Sequence, residues 1–414
     1  MLNRPDEYPN GARVLMVTPI VPWDSVGGTA TVSKNLIQLF SEHVDLRVCC
    51  LRSDELGVYP REEKGVTILS GGVSSIKRKM KLLTEFRAES FADRQFQRRK
   101  VISEFSKLVA DLRPAFIIFD HIYSGWLINY VDCPKSVIAY VAHDDMIAYA
   151  DSLLEMKPPI LQSFRFAWLR SQYIHVQRKI LQRCDFLLAL TSADKRRMEN
   201  RHQRGPTEIA PLFFDFPNYV REYTAEFRNL LVTGSFDTWE KQKGLMIFIN
   251  EVFVPLIRRF PELRLVLAGR FPQRFRQMLS FPQLEVINGP SPEQMQAIFR
   301  RATAAAVLDL QASGLKIKTI ELAGAGLPIV SWSPGLEGTN LEDEKSCLLA
   351  RSAAEFGSQL TSVVSDPDLR RRLGMQARAT MEAEFFRHTA DERFKRLKFF
   401  ETLSRAGAIQ PTGS

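Results

Sequence analysis

The sequence predicts two α/β domains in tandem, each a Rossmann-like, doubly wound parallel sheet. The chain has 414 residues. This is too long for a single hydrophobic core, since such cores stop growing at roughly 250–300 residues. Short apolar strands alternate with amphipathic helices in both halves, as in a parallel sheet covered by helices. Residues 205–226 contain three prolines and no regular period. We place the interdomain linker in that segment.

The first half has a strand, helix, strand order from its beginning. A Gly27–Gly28 loop follows the first strand, and apolar residues then recur at a spacing of three to four, which predicts a helix. Residues 76–112 also read as helices with one apolar face, stopped by Arg113 and Pro114. The predicted strands are Arg13–Pro19, Asp45–Leu51, Ala115–Asp120, Ser136–Val141 and Phe186–Thr191.

The second half repeats this order. A lysine-rich loop that ends at Lys243 and Gly244 precedes a helix at 245–260, another helix covers about 315–325, and three helices cover 353–403. The predicted strands are Asn229–Thr233, Arg264–Ala268, Leu284–Ile287, Ala304–Leu308 and Pro328–Trp332.

These patterns predict three segments of the chain. An N-terminal Rossmann-like domain covers 1–217, a C-terminal Rossmann-like domain covers 226–385, and a helix at 386–404 packs back on the N-terminal domain. The cleft that two such domains face is the default ligand site.

Composition favours a cytoplasmic protein. Hydrophobic residues make up 45% and charged residues 25% of the chain, which is ordinary for a globular protein. No apolar run approaches the ~20 residues of a membrane span, and the N-terminus is a poor signal peptide. The five cysteines form no C-x-x-C pair. They indicate reduced thiols, not a disulfide framework or a zinc site.

The net charge of +9 is unevenly distributed. Residues 77–113 hold eleven Lys or Arg and five Asp or Glu. This stretch is either a solvated helical face or a surface that attracts an anionic membrane, which would place the protein peripherally on the inner face. No basic platform with interleaved aromatic residues indicates nucleic-acid binding.

Two glycine loops are candidates for holding phosphate. Gly27–Gly28 and the stretch from Gly234 to Gly244 both follow strands, where glycine allows the backbone to approach an anion. The alternatives are a tight strand-to-helix turn and a plain loop with solvated lysines. Neither matches G-x-G-x-x-G, which disfavours a dehydrogenase.

A third candidate begins at Gly314. A phosphate at this helix start would meet backbone N–H groups together with Lys316 and Lys318. Lys318 and Glu321 are three residues apart and share a helix face, so a surface ion pair is the alternative.

The fourth candidate is His143–Asp144–Asp145, directly after a predicted strand. The carboxyl ends of parallel strands face the ligand crevice, so His143 is a candidate for acid–base work. Alternatively, one of the two aspartates caps a helix. We expect no metal here.

At the third candidate the sequence resembles the retaining GT-B glycosyltransferases of family 4, also called group 1 glycosyltransferases. Similar segments recur in order along most of the chain. They are VLMVTPIVPWDSVGGTATVSKNLIQLF, AHDD, ILQRCDFLLALTSADKRRM, LLVTGSFDTWEKQKG, LRLVLAGR, VINGPSPEQM, LKIKTIELAGAGLPIVSWSPGLEG and DPDLRRRLGMQAR.

The resemblance implies a fold and a set of roles. The fold would be GT-B, with 1–217 as the acceptor domain and 226–385 as the nucleotide-sugar domain. The reaction would move a sugar from a nucleoside-diphosphate sugar to a glycan or lipid-linked acceptor with retention. Glu321 would hold the ribose, and Lys318 and Lys243 would neutralise the leaving diphosphate. The remaining roles are diphosphate contact by Gly314 and Leu315, base contact by Gly289, Pro290 and Ser291, donor or acceptor contact by Gly27 and Gly28, and a place beside the donor sugar for His143.

The sequence departs from the family pattern at two polar positions. Ser313 stands where the family has its first glutamate, and Gly234–Ser235 replaces a Gly-Arg pair. A branch linked to exopolysaccharide assembly is similar in having G-x-x-x-K-x-x-E. Two alternatives remain: a GT-B sugar-nucleotide epimerase, or a degenerate protein that binds nucleotide sugar without catalysis. No DxD motif lies in a suitable place, so we predict no essential metal and no cofactor.

Overall fold

The computed structural model describes residues 12–24, 27–52, 62–63, 66–70, 98–202, 204–217, 221–223, 226 and 228–409. The chain divides into two compact units, one of Met1–Leu212 with Ala390–Ser414 and one of Phe213–Thr389. The predicted α/β class is confirmed. Of the basic stretch 77–113, residues 77–97 lie outside the described part, and residues 98–112 form a helix.

The N-terminal unit contains an eight-stranded sheet in the order β3-β4-β2-β1-β5-β6-β7-β8. All neighbouring pairs are parallel except β3 with β4. The strands are β1 Val14–Thr18, β2 Leu46–Arg52, β3 Glu62–Glu63, β4 Val66–Ser70, β5 Phe116–Asp120, β6 Val137–Ala142, β7 Phe186–Ala189 and β8 Thr207–Ile209. The central residues of β1, β2, β5, β6 and β7 are buried and apolar, as in parallel strands covered on both faces.

Helices connect these strands, and two more come from the end of the chain. In chain order they are α1 Gly28–Ser41, α2 Arg98–Leu112, α3 Ile122–Gly125, α4 Met146–Glu155, α5 Ile160–Arg183 and α6 Ser192–Glu199. Short 3₁₀ helices cover Pro22–Asp24 and Trp126–Tyr130. No helix within the described residues is long and apolar enough to cross a membrane.

The C-terminal unit contains a six-stranded parallel sheet in the order β11-β10-β9-β12-β13-β14. The strands are β9 Asn229–Ser235, β10 Arg264–Arg270, β11 Leu284–Asn288, β12 Ala304–Val307, β13 Ile329–Trp332 and β14 Leu348–Ala350. The predicted strands are all present, within two residues at each end. Strands β3, β4, β8 and β14 were not predicted, because the two to five residues of each carry too little periodicity.

The helices of this unit differ from the prediction at two places. The segment predicted as a lysine-rich loop is the beginning of a helix, and the C-terminal region holds four helices instead of three. The helices of this unit are α7 Trp239–Ile247, α8 Val254–Arg259, α9 Gln273–Gln277, α10 Pro292–Arg301, α11 Ile317–Gly324, α12 Ala353–Ser365 and α13 Pro367–Phe385, with a π-helix at Phe248–Phe253 and a 3₁₀ helix at Ser333–Leu336. Helices α14 Arg387–Lys395 and α15 Lys398–Arg405 follow at the end of the chain.

The last two helices complete the core of the N-terminal unit. Phe399 is fully buried and contacts the rings of Phe40, Phe116 and Phe186 with centroid distances of 6.2, 6.1 and 5.3 Å. The backbone N–H groups of Lys398 and Phe399, at the start of α15, donate to the Glu208 carboxylate at 2.8 and 3.0 Å. A side chain distant in sequence therefore satisfies the free donors of this helix end.

Candidate functional site

The sheet of the C-terminal unit changes direction between β9 and β12. Strands β10 and β11 extend the sheet on one side of β9, and β12 to β14 extend it on the other. Ligands of open α/β sheets bind at such a switch point, beyond the carboxyl ends of the strands. Gly234 lies at the end of β9, and Asp309 follows β12 by two residues.

Asp309 is the centre of a charged cluster at this switch point. The carboxylate is 1% exposed and forms ion pairs with Lys241 and, at 2.6 Å, with Lys318. Burial by itself raises the pKa of Asp309, but the surrounding ammonium groups, including that of Lys316, outweigh it and hold the pKa well below its usual value. A single carboxylate thus faces several cations, and the cluster carries net positive charge. We name Lys241, Asp309 and Lys318 the lysine cluster.

Sequence reasoning missed Asp309. The signal was present, because Asp309 is a charged residue that comes directly after the apolar run Ala304–Leu308, at the edge where parallel strands present side chains to ligands.

Lys318 is held by Asp309 and not by Glu321, so the ion pair considered from helix spacing is wrong. Burial lowers the pKa of the Lys318 ammonium to about 8, although the Asp309 carboxylate opposes this shift. A Cβ atom placed on Gly234 would lie 3.5 Å from the Lys318 Nζ. The backbone at Gly234, with φ of 153°, therefore borders the lysine cluster.

Gly244 allows α7 to approach β12. A Cβ atom at this position would lie 2.5 Å from the Leu308 carbonyl oxygen, so only glycine fits without displacement. Lys241, three residues earlier on α7, reaches Asp309 as a result. The predicted lysine, Lys243, lies instead over the Trp239 ring, with Nζ 5.0 Å from the ring centroid.

The segment before α11 turns sharply at Gly314, whose φ is 68°. Ser313 is buried, and its carbonyl oxygen accepts a hydrogen bond from the Lys316 Nζ at 2.5 Å. Leu315 follows, and α11 then begins with Lys316 in the capping position. The predicted helix start thus lies beside the lysine cluster, where backbone N–H groups and ammonium groups together favour an anion.

Glu321 lies in the middle of α11 and keeps access to solvent. No basic side chain among the described residues pairs with its carboxylate. Partial loss of hydration raises the pKa of Glu321 to about 7, because desolvation disfavours the charged form of a carboxyl group.

Ser235 lies next to a cation, Arg270, that the sequence pattern did not predict. Parallel strand β10 places Arg270 in register with Ser235, and the Arg270 guanidinium lies 3.2 Å from the serine Oγ. Arg270 also forms an ion pair with Asp237. The arginine absent at position 235 is therefore present on the neighbouring strand.

The Gly289–Pro290–Ser291 segment forms the connection from β11 to α10. Gly289 has φ of 65°, and Ser291 caps α10 in a capping box with Gln294. Its hydroxyl also donates to Glu293 at 2.6 Å. Ser291 thus has a structural role at the helix start, in addition to the base contact that the resemblance implies.

The sheet of the N-terminal unit has its own switch point, between β1 and β5. Asp120 ends β5 and is fully buried. Its carboxylate accepts hydrogen bonds from the Ser33 hydroxyl of α1 and, at 2.5 Å, from the His143 Nε2. Because a carboxylate accepts from an imidazole N–H, this contact leaves the Nδ1 of His143, which has no partner among the described residues, for another molecule.

A second histidine, His121, lies against the first. The two imidazole rings are 4.9 Å apart and perpendicular. Burial, and then the neighbouring His143, lower the pKa of His121 well below its usual value, so its ring is neutral near pH 7. The φ of His121 is 70°, a conformation that non-glycine residues rarely adopt. Sequence reasoning missed this residue too, although it follows a buried strand.

The other residues predicted near these positions have clear places. Asp145 caps α4 and accepts hydrogen bonds from Gln177 at 3.1 Å and from Arg201, which confirms the capping alternative. Gly27 precedes α1 with φ of 120°, and Gly28 begins the helix. Both glycines are exposed, and the turn they form is one that only glycine adopts readily.

Residues 250–398 match the family model described as "Glycosyl transferase-like". This range contains Asp309, Lys318 and Glu321. A protein of Klebsiella pneumoniae, "Uncharacterized 44.6 kDa protein in cps region", is 21% identical over 248 residues, which cover 58% of this chain and 62% of that protein. The match therefore spans less than two thirds of the relative's length.

Solved structures resemble the whole chain. The sucrose-phosphate synthase from Thermosynechococcus elongatus is 16% identical, with a TM-score of 0.73 over 95% of this chain and 100% of that one. A TarM mutant from S. aureus in complex with Fondaparinux, α-GlcNAc-glycerol and UDP is 10% identical, with a TM-score of 0.66 over 92% and 99%. The fold is GT-B, with two Rossmann-like units, and most of the residues that match the glycosyl transferase-like model lie in the C-terminal unit.

Proposed function

We propose that this protein is a glycosyltransferase that moves a sugar from a nucleoside diphosphate to a hydroxyl group of a glycan or glycolipid. The observation that carries the proposal is the lysine cluster at the switch point of the C-terminal unit, beside the start of α11. A cluster with net positive charge at a helix N-terminus favours a multiply charged anion such as a diphosphate. The GT-B fold and the glycosyl transferase-like match support this class of enzyme.

In the proposed reaction, the bond between the anomeric carbon and the diphosphate oxygen breaks. The diphosphate leaves with the electron pair, the acceptor oxygen bonds to the anomeric carbon, and the acceptor proton is released. Negative charge develops on the diphosphate in the transition state, so fixed cations there lower the barrier. Lys241 and Lys318 would supply them, both held by the Asp309 carboxylate before the donor binds.

The remaining roles are part of the same proposal. Glu321 would accept hydrogen bonds from the ribose hydroxyls, and Gly314 and Leu315 would approach the diphosphate through their backbones. His143, oriented by Asp120, would perform acid–base work. Retention at the anomeric carbon, membership of family 4, a cytoplasmic location and independence from metal also remain proposals.

Donor binding is the first test. A thermal-shift screen against UDP, GDP, ADP and dTDP sugars should give one clear stabilisation, since ligand at 100 times its Kd stabilises by about 2.7 kcal/mol. Lys241→Ala and Lys318→Ala should each lower the transfer rate by about 100-fold or more. We expect Lys243→Ala, a matched change on the same helix but outside the lysine cluster, to have a smaller effect than Lys241→Ala.

Product analysis separates this proposal from its alternatives. Donor incubated with the protein in the absence of acceptor should yield, at most, free sugar and nucleoside diphosphate, and an epimerised nucleotide sugar would contradict a transferase. Wild-type rates in both lysine-cluster variants would show that the site is misplaced. If protein treated with EDTA lost activity and Mg²⁺ restored it, the proposed independence from metal would be wrong.

A further inference from the structure

Helix α5 presents an unusual face to solvent. Ile160, Leu161 and Phe164 at its beginning are 76, 85 and 72% exposed. Isolated exposed apolar residues are common on soluble proteins, but three large ones within five positions form a patch that calls for an explanation.

The same helix has one sign of charge. Its 24 residues contain five Lys or Arg and no Asp or Glu. Along one face, at spacings of three to four, residues 160, 164, 167, 171, 175, 178 and 182 are all exposed. This solvent-facing stripe is apolar over its first half, with Leu161 exposed beside it. Towards its end it carries Arg178, with Lys179 and Arg183 exposed beside it.

Within the part of the chain that the structure describes, the neighbouring elements do not neutralise the stripe. Helix α4 packs against α5, and its Asp151 pairs with Arg170 at the side of the helix. Glu155 is the exposed acid at the end of α4, and the exposed Lys157 follows it two residues later. Arg165 adds an exposed cation within the apolar half.

We propose that this face of α5 docks the protein on an anionic lipid bilayer, with Ile160, Leu161 and Phe164 inserted among the acyl chains and Arg178, Lys179 and Arg183 on the headgroup phosphates. Helices that lie in the membrane interface bind through buried apolar area together with the attraction of Lys and Arg to anionic lipids. At 1.5 Å per residue the helix is about 36 Å long, so the apolar and basic halves can contact the bilayer together. The charge selects an anionic surface over a neutral one.

Flotation with vesicles tests the proposal without nucleotide or acceptor, so its result does not depend on the proposed reaction. The wild-type chain should float with phosphatidylcholine vesicles that contain phosphatidylglycerol and stay in solution with phosphatidylcholine alone. Binding should fall when salt rises from about 0.15 M to about 1 M, because the Debye length shrinks from about 8 to about 3 Å.

Two sets of variants separate the two halves of the stripe. Replacing Ile160, Leu161 and Phe164 by serine should abolish flotation, whereas the matched surface control Met278→Ser with Met375→Ser, at residues 70 and 55% exposed, should not. Arg178→Glu with Lys179→Glu should weaken binding by roughly 25-fold or more, at roughly fivefold per charge removed. Arg274→Glu with Arg276→Glu, two exposed arginines of the other unit, is the control for net charge.

Three results would overturn the proposal. These are equal flotation on neutral vesicles, loss of flotation in the control variants to the same extent, or unchanged flotation in both stripe variants. Light scattering tests the competing occupant, a second copy of the chain. A dimer that the serine variant converts to monomers, with flotation unchanged, would assign the stripe to self-association. If the serine variant does not fold, flotation of the Arg178→Glu with Lys179→Glu variant tests the proposal instead.

Discussion

At the scale of single residues, the lysine cluster joins groups from three separate elements. Asp309 follows β12, Lys241 lies on α7 and Lys318 on α11. A buried carboxylate with two ammonium partners keeps the cations in place. Removal of the carboxylate, or of the ammonium groups, would leave the opposite charge without compensation. Asp309 thus positions the two lysines that we assign to the diphosphate.

The pKa values of two residues predict how donor binding depends on pH. Lys318 has a pKa of about 8 and must be protonated to attract diphosphate, so affinity falls as the pH rises through that value. Glu321 has a pKa of about 7 and accepts hydrogen bonds best as a carboxylate, so affinity also falls as the pH drops through that value. Calorimetry with intact nucleotide sugar, whose diphosphate is esterified at both ends, should therefore show strongest binding between about pH 7 and 8.

Two conservative variants test which residue causes the loss of affinity on each side of the pH profile, its acid limb and its alkaline limb. In Lys318→Arg the guanidinium stays protonated, since its pKa exceeds about 12, and the alkaline limb should disappear. In Glu321→Gln the acid limb should flatten. Affinity that does not change with pH in the wild-type protein would remove both groups from the site.

At the scale of elements, the approach of α7 to β12 depends on one missing side chain. The Cβ atom of an alanine at 244 would lie 2.5 Å from the Leu308 carbonyl oxygen. We expect Gly244→Ala to destabilise the protein by about 1–3 kcal/mol, as overpacking does, and to weaken donor binding because Lys241 moves away from Asp309. Denaturant unfolding and nucleotide titration measure the two effects.

Gly357 provides the matched control. It lies within α12, and a Cβ atom placed there would meet no atom within 4 Å. Gly357→Ala should stabilise the protein by about 0.5–1 kcal/mol, since alanine loses less backbone entropy in a helix. If both alanine variants changed stability in the same direction, steric contact at Gly244 would not be the reason for its glycine.

At the scale of the whole molecule, the end of the chain belongs to the core of the unit that begins it. Phe399 is fully buried among Phe40, Phe116 and Phe186. Phe399→Ala should lower the free energy of unfolding by about 3–5 kcal/mol. Thermal and denaturant melts with a probe in the N-terminal unit check this prediction. Phe164→Ala, at a ring that is 72% exposed, should change stability by less than about 0.5 kcal/mol.

The sequence by itself determined the two α/β units, most of their strands and the helix that begins after Gly314. These features follow from periodicity, glycine placement and helix-start chemistry, all of which act over a few residues. Local reasoning also found Lys318 and Glu321, because a cation and an acid at that helix stand out against its apolar positions. The same reasoning read α7 as a loop, since its lysine-rich beginning has no apolar period.

Only the tertiary structure decided which groups meet. Lys241 and Asp309 are 68 residues apart, and their contact requires the strand order of the sheet and the close approach at Gly244. Asp120 and His143 similarly meet because β5 and β6 are adjacent, and Ser33 joins them from α1. Side-chain partners across a sheet depend on strand order and on helix approach, which no short window of sequence encodes. For this reason the sequence identified the helix start after Gly314, but it could not show that Lys318 pairs with Asp309.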